Sequence, residues 1–202
     1  TEGQSAAGSI VSCRDVTTQA IFTMRGKPLN VCELKREAIY KNDELYNLVR
    51  SLNIEDSITG LRYGKVILAT DADVDGMHIR NLLITFFLRF FEDLVAQQRL
   101  YILETPLFRV RNKKATQYCY SEAERDVAMK ELAKGCEVTR FKGLGEISPS
   151  EFKDFIGQGM RLTGLTLEDQ HHVPEVLKFY MGKNTPQRRS YIIDNLVVDE
   201  TA

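Results

Sequence analysis

The sequence predicts an α/β fold in which helices flank a parallel sheet, followed by a smaller α+β and helical region. Residues 65–70 read KVILAT, a continuous apolar run typical of a strand buried on both faces of a parallel sheet. A long apolar helix pattern over residues 77–96 then leads to LYILE at residues 100–104, which has strand composition. Strand, helix and strand in this order predict a βαβ unit with a right-handed connection.

Composition narrows the class of protein. The chain has 202 residues, enough for one sizeable domain or two small ones. With 43% hydrophobic and 27% charged residues it can build a packed core, which excludes a disordered chain. No run of eighteen apolar residues occurs, so we expect no membrane span and no membrane partner. The four cysteines are scattered, which predicts free thiols in a reducing cytosol.

Several elements are expected before the βαβ unit. Residues 5–13 predict a helix whose first residue is the N-cap, and residues 19–24 (QAIFTM) have strand composition. A turn-rich basic loop follows at residues 25–30 (RGKPLN). Residues 31–52 then have a helical pattern that is interrupted near Asn42.

The βαβ pattern ends near Pro106, where a hairpin and separate helices follow. We therefore place a boundary there, between a domain over residues 1–106 and a second region over 107–202. A hairpin is expected from residues 108–110 and 117–120. Three further helices are predicted. The first begins with a capping box of Ser121 and Glu124 and reaches about Lys134. The second begins at Ser148-Pro149 with Glu151, and the third begins at Thr185-Pro186.

Three carboxylates lie within five residues at the end of the KVILAT strand, as Asp71, Asp73 and Asp75. Two carboxylates about 4 Å apart repel by roughly 4 kcal/mol at an effective dielectric near 20, so the fold needs something to offset the repulsion. A divalent cation does so, and hard oxygen ligands select Mg²⁺, Mn²⁺ or Ca²⁺. Ligands of open α/β sheets bind at the carboxyl ends of strands, where this turn lies.

An EF-hand is the first alternative for this acidic turn. That loop needs a Glu at its twelfth position, which here is Leu82, and it needs a helix rather than a strand before it. We therefore prefer Mg²⁺-dependent phosphate chemistry. Glu2 is the candidate for a further acid, because Gly3 allows close backbone approach and a helix N-terminus follows.

Taken together, these motifs resemble the Toprim domain and the following region of bacterial type IIA DNA topoisomerase B subunits, with the topoisomerase IV type preferred over the gyrase type. The residues that support the resemblance are 2–6 (EGQSA), 25–30 (RGKPLN), 70–80 (TDADVDGMHIR), 106–108 (PLF), 140–146 (RFKGLGE), 179–182 (FYMG), Arg188 and Arg189. The family usually has Asp where this chain has Gln4, which is not among the family's metal ligands.

The resemblance implies a function and its partners. It implies a Toprim sheet, here expected to lack most of its first strand, and a fragment that is inactive alone. Double-stranded DNA would be cleaved and religated with an A-type subunit that supplies the catalytic Tyr, in an A₂B₂ heterotetramer in the bacterial cytoplasm at the nucleoid. Two Mg²⁺ ions are expected, with Mn²⁺ or Ca²⁺ as substitutes, and ATP would act only through a region N-terminal to this chain.

The resemblance also implies roles for individual residues. Glu2, Asp71 and Asp73 would be catalytic metal ligands, with Asp75 at the same site or behind it. The basic-loop residues Arg25, Lys27 and Asn30 would contact DNA. His78 follows the acidic turn directly, and from this position it either contacts a DNA phosphate or packs as a neutral helix residue. Lys142 is expected near the active site without a defined role. Arg109, Arg111 and Lys113 share one strand face, which predicts either a DNA contact or protection of a sheet edge.

Two other functions remain open at this point. Phosphatases of the haloacid-dehalogenase type also place DxD after a buried strand, with the first Asp as nucleophile. They do not account for the EGxSA segment or for the basic loop. The other alternative is a non-catalytic interaction module in which the acidic turn holds only a structural cation.

Overall fold

The computed structural model describes residues 1–132, 135–167 and 172–196. The first half contains α1 (Gln4–Cys13), α2 (Asp43–Leu52), β1 (Val66–Leu68), α3 (Val74–Phe90), α4 (Glu92–Ala96) and β2 (Leu100–Glu104), with short 3₁₀ helices at Arg36–Lys41 and Ile58–Gly60. The helix that Ser121 starts is predicted to end at about Lys134, which lies outside the described residues. Within those residues, no helix is long and apolar enough to cross a membrane.

The second half contains shorter elements. They are β3 (Phe108–Arg111), β4 (Thr116–Cys119), α5 (Glu122–Leu132), β5 (Glu137–Arg140), a 3₁₀ helix at Leu144–Glu146, α6 (Pro149–Ile156), β6 (Arg161–Gly164), α7 (Val173–Met181) and α8 (Thr185–Asp194). The predicted hairpin is confirmed, since β3 pairs antiparallel with β4. The predicted capping box of α6 is also confirmed, because Ser148 and Glu151 bond reciprocally.

The described part of the chain contains two three-stranded sheets. In the first sheet β1 and β2 are parallel, as the βαβ prediction requires, and Val66 lies opposite Leu100. The third strand, β6, comes from the second half and pairs antiparallel with β2, so this sheet is mixed. The second sheet has the order β4-β3-β5 and is antiparallel throughout. Residues 161–164 thus add a strand to the sheet of the first half.

The structure corrects two predictions for the first 24 residues. The strand predicted at residues 19–24 is reduced to one parallel bridge between Met24 and Glu2, because Met24 finds partners only in the short segment 1–3. Helix α1 starts at Gln4, and its N-cap is Gly3 at φ 64°, two residues before the predicted cap Ser5. Glycine adopts this left-handed conformation without a steric penalty.

Two helix predictions also need correction. The helix expected over residues 77–96 begins at Val74, because the side chain of Asp73 caps it, and it breaks at Phe91 into α3 and α4. In the segment 31–52, residues 36–41 form a 3₁₀ helix. The α-helix starts only after Asn42, whose side chain accepts the N–H of Leu45. The predicted interruption near Asn42 is therefore a helix cap.

The first sheet has a hydrophobic cluster on each face. One cluster packs residues of α2 and α3, such as Val49 and Phe86, against Leu68 of β1. The other packs Ile10 of α1 and Phe152 of α6 against Ala69 and other sheet residues. Because side chains alternate along a strand, the sheet holds helices on both faces, and the loops after its strands are fixed by two cores.

Candidate functional site

The acidic turn begins just after β1 and is shaped by a close backbone approach. Thr70 is buried, and Asp73 accepts the N–H of Gly76 on its Oδ1 at 2.8 Å, which starts α3. A Cβ atom on Gly76 would lie 2.2 Å from the carbonyl oxygen of Asp71. Only glycine fits there, so the turn and the helix start are coupled.

Glu2 and Asp71 meet across the sheet edge. Oε1 of Glu2 accepts the backbone N–H of Asp71 at 2.9 Å, while Oε2 of Glu2 is buried and has no hydrogen-bond partner among the residues that the structure describes. Burial raises the pKa of Glu2; the hydrogen bond from Asp71 opposes this rise, and the nearby charges of Asp71 and Asp73 add to it. A buried carboxylate oxygen without a partner is costly unless another group, such as a cation, satisfies it.

The carboxylate of Asp71 has a partner that sequence reasoning missed. Its Oδ1 accepts the backbone N–H of Leu144 at 2.7 Å, although 73 positions separate the two residues. Gly143 lies against the same carboxylate, since a Cβ atom there would be 2.7 Å from Oδ2 of Asp71. The glycines of the segment FKGLGE were the available signal, but a backbone donor leaves no mark in the residue types.

The residues present fit a cation held by few protein ligands. Among the described residues, no three acidic, histidine or cysteine side chains form a group that could hold a metal. Mg²⁺ commonly uses one or two carboxylates and completes its octahedron with phosphate oxygens and water. The Glu2–Asp71 pair, with the unpartnered Oε2 of Glu2, matches this donor set. Asp73 is exposed and uses one oxygen to cap α3.

The basic loop reaches the acidic turn through Lys27. Its Nζ lies 2.7 Å from Oδ1 of Asp75, and both side chains are largely exposed. The hydrogen bond and charge of Lys27 lower the pKa of Asp75, with a smaller contribution from His78. The side chain of Arg25 is more exposed than that of Lys27, and its Nε lies 4.0 Å from Oε1 of Glu44. Lys27 and Asp75, predicted for DNA and for metal, are therefore paired with each other.

Asn30 has a structural partner in the second half of the chain. Its side-chain amide donates to the carbonyl oxygen of Met181 at 2.8 Å, and its Oδ1 accepts the N–H of Cys32 at 3.1 Å. Arg188 of α8 closes the end of α7 by donating to the carbonyl oxygens of Phe179, Tyr180 and Gly182. The basic loop is thus attached to the α7–α8 connection.

The remaining basic candidates are placed as follows. His78 is exposed on α3, and Lys142 is exposed next to Gly143, with its backbone N–H bonded to Glu146. Arg109 does not extend into solvent, because it pairs with Glu151 of α6 at 2.7 Å. Arg111 pairs with Glu137 at 2.9 Å. The hairpin arginines therefore link elements within the chain.

Glu151 is the centre of a largely buried network between α6 and the hairpin. It accepts hydrogen bonds from Arg109 at 2.7 Å and from the hydroxyl of Tyr118 at 2.8 Å. Burial by itself would raise the pKa of Glu151, but the hydrogen bonds from Ser148, Arg109 and Tyr118 outweigh it and lower the pKa to about 2. Burial and Glu151 raise the pKa of Tyr118 to about 12.

Comparison with known proteins shows the family to which the chain belongs. Residues 1–105 match the model of the Toprim domain, and residues 133–193 match that of the DNA gyrase B subunit carboxyl terminus. The chain is 63% identical to the B subunit of DNA topoisomerase 4 from Borreliella burgdorferi over 198 residues, which is 98% of this chain and 33% of that protein. It is 36% identical to the B subunit of DNA gyrase from Archaeoglobus fulgidus, over 95% of this chain and 31% of that protein.

A solved structure agrees on the fold. The DNA-binding, cleavage and re-ligation domain of Plasmodium falciparum topoisomerase II superposes with a TM-score of 0.81 at 24% identity, covering 100% of this chain and 30% of that one. The chain spans about a third of the length of the curated relatives named above. It belongs to the Toprim family, and it resembles the Toprim and carboxyl-terminal region of type II DNA topoisomerase B subunits.

Proposed function

We propose that this chain is the metal-binding part of a type IIA DNA topoisomerase that cleaves and religates double-stranded DNA. The observation that supports this most is the buried, unpartnered Oε2 of Glu2 beside Asp71, within a Toprim fold. The nucleophilic Tyr comes from an A-type partner subunit in an A₂B₂ assembly. ATP acts through another part of the intact protein, and the assembly works in the bacterial cytoplasm at the nucleoid.

The carboxylates have different roles at the cleaved phosphodiester. Glu2 and Asp71 would hold one Mg²⁺, and Asp71 and Asp73 would hold a second, with Asp75 paired to Lys27 behind them. When bound, Mg²⁺ supplies Lewis-acid stabilisation of charge on the departing 3′-oxygen. Glu2 serves as a ligand rather than as a general acid.

The basic loop positions the DNA strand. Lys27 contacts phosphate as a point charge, Arg25 contacts it through its planar guanidinium, and the exposed His78 of α3 adds a third contact. Asn30 holds the loop through Met181, and the second N–H of its side-chain amide is left to contact a phosphate. Phosphate contacts of this kind set register and carry no sequence information, so we propose binding without base specificity.

Reconstitution tests the proposal. The chain, within a full-length B subunit, is mixed with a topoisomerase A subunit and supercoiled DNA, and Mg²⁺ is titrated. We expect double-strand cleavage that requires Mg²⁺ and both subunits, and a large loss of cleavage for Asp71→Ala. DNA relaxation by the chain alone, or equal cleavage by Asp71→Ala, would contradict the proposal.

A structural cation site is the second candidate, because the acidic turn also holds the fold together: Asp73 caps α3 and Asp71 accepts the N–H of Leu144. If the turn only stabilises the fold, Asp73→Ala lowers the melting temperature and leaves cleavage by the assembly intact. The proposal expects Asp73→Ala to lose cleavage. Because Asp73 also caps α3, the discriminating variant is Asp73→Asn, which keeps an acceptor for the Gly76 N–H and should lose cleavage without a large fall in melting temperature. The match of residues 1–105 to the Toprim family does not support the phosphatase alternative, and turnover of a small phosphomonoester would revive it.

A further inference from the structure

We infer that the turn formed by Gly143 and Leu144 is a positioning element for the Asp71 carboxylate, supplied to the candidate metal site by the second half of the chain. The inference rests on the proposed function and adds to it two residues, neither of which has a polar or charged side chain. Neither Gly143 nor Leu144 offers a metal ligand, and both act through Asp71.

Two independent contacts define the orientation of Asp71. The Leu144 N–H donates to Oδ1 at 2.7 Å, which fixes one oxygen of the carboxylate. At Gly143, an added Cβ would stand 2.7 Å from Oδ2, 3.0 Å from Cγ and 3.3 Å from Oδ1. Real Cβ atoms do not approach a carboxylate this closely, so any side chain there displaces Asp71 or the turn.

The turn is rigid enough to impose this orientation. Leu144 is 1% exposed and packs in the cluster that contains Phe141, Ile147 and Ala6 of α1. The turn is closed by a hydrogen bond from the Lys142 N–H to Glu146 at 2.9 Å. Because α1 follows Glu2 directly, the same packing holds the Glu2 side and the Asp71 side of the site in one frame.

The chemical consequence concerns geometry rather than charge. Ligating carboxylates are held by surrounding hydrogen bonds, and loss of such a bond typically weakens metal affinity or activity by about 10- to 100-fold. With Oδ1 fixed by Leu144, the lone pairs of Asp71 that remain face a defined direction. A substitution at Gly143 therefore changes the metal requirement before it changes the fold.

The test is Gly143→Ala in a full-length B subunit that carries this chain, assembled with an A subunit and DNA. Gly64→Ala is the matched control, because a Cβ there meets nothing within 4 Å. Three quantities are measured: Mn²⁺ binding by electron paramagnetic resonance, the half-saturating Mg²⁺ concentration against the maximal cleavage rate, and the metal-free melting temperature. We expect Gly143→Ala to weaken Mn²⁺ binding and to raise half-saturating Mg²⁺ about 10-fold or more. The melting temperature should stay close to that of Gly64→Ala.

A second variant covers the case in which Gly143→Ala does not fold. An amide-to-ester change at Leu144 removes the N–H donor and keeps every side chain, and it should also raise half-saturating Mg²⁺. Metal binding unchanged in the folded variants overturns the inference, as does a fall in melting temperature without a change in metal requirement. If the unmodified assembly neither binds Mn²⁺ nor cleaves DNA, the proposed function fails first, which separates the two failures.

Discussion

Asp71 donates its backbone N–H to Oε1 of Glu2 at 2.9 Å, and the two residues are 69 positions apart in the chain. This bond joins the segment before α1 to the end of β1 and leaves Oε2 of Glu2 buried without a partner. Glu2 therefore has one oxygen for the fold and one for a ligand. The two functions can be separated by substitution.

Glu2→Gln should keep the fold and lose the metal function. Its amide oxygen can still accept the Asp71 N–H, but the neutral side chain is a poor ligand for a hard cation. We expect Mg²⁺-dependent cleavage by the reconstituted assembly to fall about 100-fold or more. Glu2→Ala is the comparison, because it also leaves the Asp71 N–H unsatisfied and should destabilise the chain by about 1 kcal/mol. Equal cleavage by Glu2→Gln and the unmodified protein would rule out Glu2 as a ligand.

Lys27 and Asp75 should control phosphate binding in opposite directions. Removing the charge of Asp75 by Asp75→Asn frees Lys27 for DNA, so metal-free DNA binding should tighten without a change in melting temperature. Lys27→Ala should weaken binding on all sequences and lower the slope of log K against log salt by about one. Fluorescence anisotropy across a salt series measures both, with Arg111→Ala as a control at a pair in the second sheet. If Asp75→Asn weakens binding, this pairing does not restrain Lys27.

Gly76→Ala tests the close approach in the acidic turn. Its Cβ would meet the backbone of Asp71 at 2.2 Å, and backbone atoms cannot move aside cheaply. We expect a loss of about 2 kcal/mol or more in the free energy of unfolding. Gly8→Ala is a matched helical control with nothing within 4 Å of the new Cβ, and it should stabilise α1 by up to about 1 kcal/mol. Urea denaturation measures the free energy of unfolding of both variants. An unchanged free energy of unfolding for Gly76→Ala would contradict the close approach of residue 76 to Asp71.

Acid stability should depend on Glu151. Its pKa falls from 4.5 to about 2 in the folded chain, so its contribution is complete above pH 4.5 and is lost as the pH drops toward 2. Glu151→Gln removes the contribution, and the stability gap between the two proteins should therefore shrink over this window. Denaturation at several pH values measures the gap. Glu137→Gln, at the more exposed pair with Arg111, should produce a much smaller gap at pH 7. A gap for Glu151→Gln that is constant from pH 7 to 2 would be inconsistent with this network.

Local sequence patterns were sufficient for the centre of the fold. The apolar runs of β1 and β2 and the helix between them specify the parallel pair, because burial on both faces leaves a clear signal. By contrast, β6 reads RLTG and has no strand pattern of its own. It becomes a strand only through pairing with β2, as tertiary context outweighs local preference.

The candidate site was predictable to the extent that side chains define it. Because ligands bind at the carboxyl ends of strands, we expect Glu2 and Asp71 at one site, and the structure has them in hydrogen-bond contact. The contribution of Leu144 was not predictable, because its donor is a backbone N–H. The hydrogen bond of Asn30 to Met181 was also hidden, since it joins residues 151 positions apart.

The most direct test of the central claim, a metal held by Glu2 and Asp71 at the departing oxygen, uses DNA with sulfur in place of the 3′-bridging oxygen. The reconstituted assembly is given this substrate with Mg²⁺, Mn²⁺ or Cd²⁺, alongside the all-oxygen substrate. We expect the thiophilic ions Mn²⁺ and Cd²⁺ to stimulate cleavage of the sulfur substrate relative to Mg²⁺, and Glu2→Gln to weaken this stimulation. Cleavage of the sulfur substrate that does not depend on metal identity would contradict the claim.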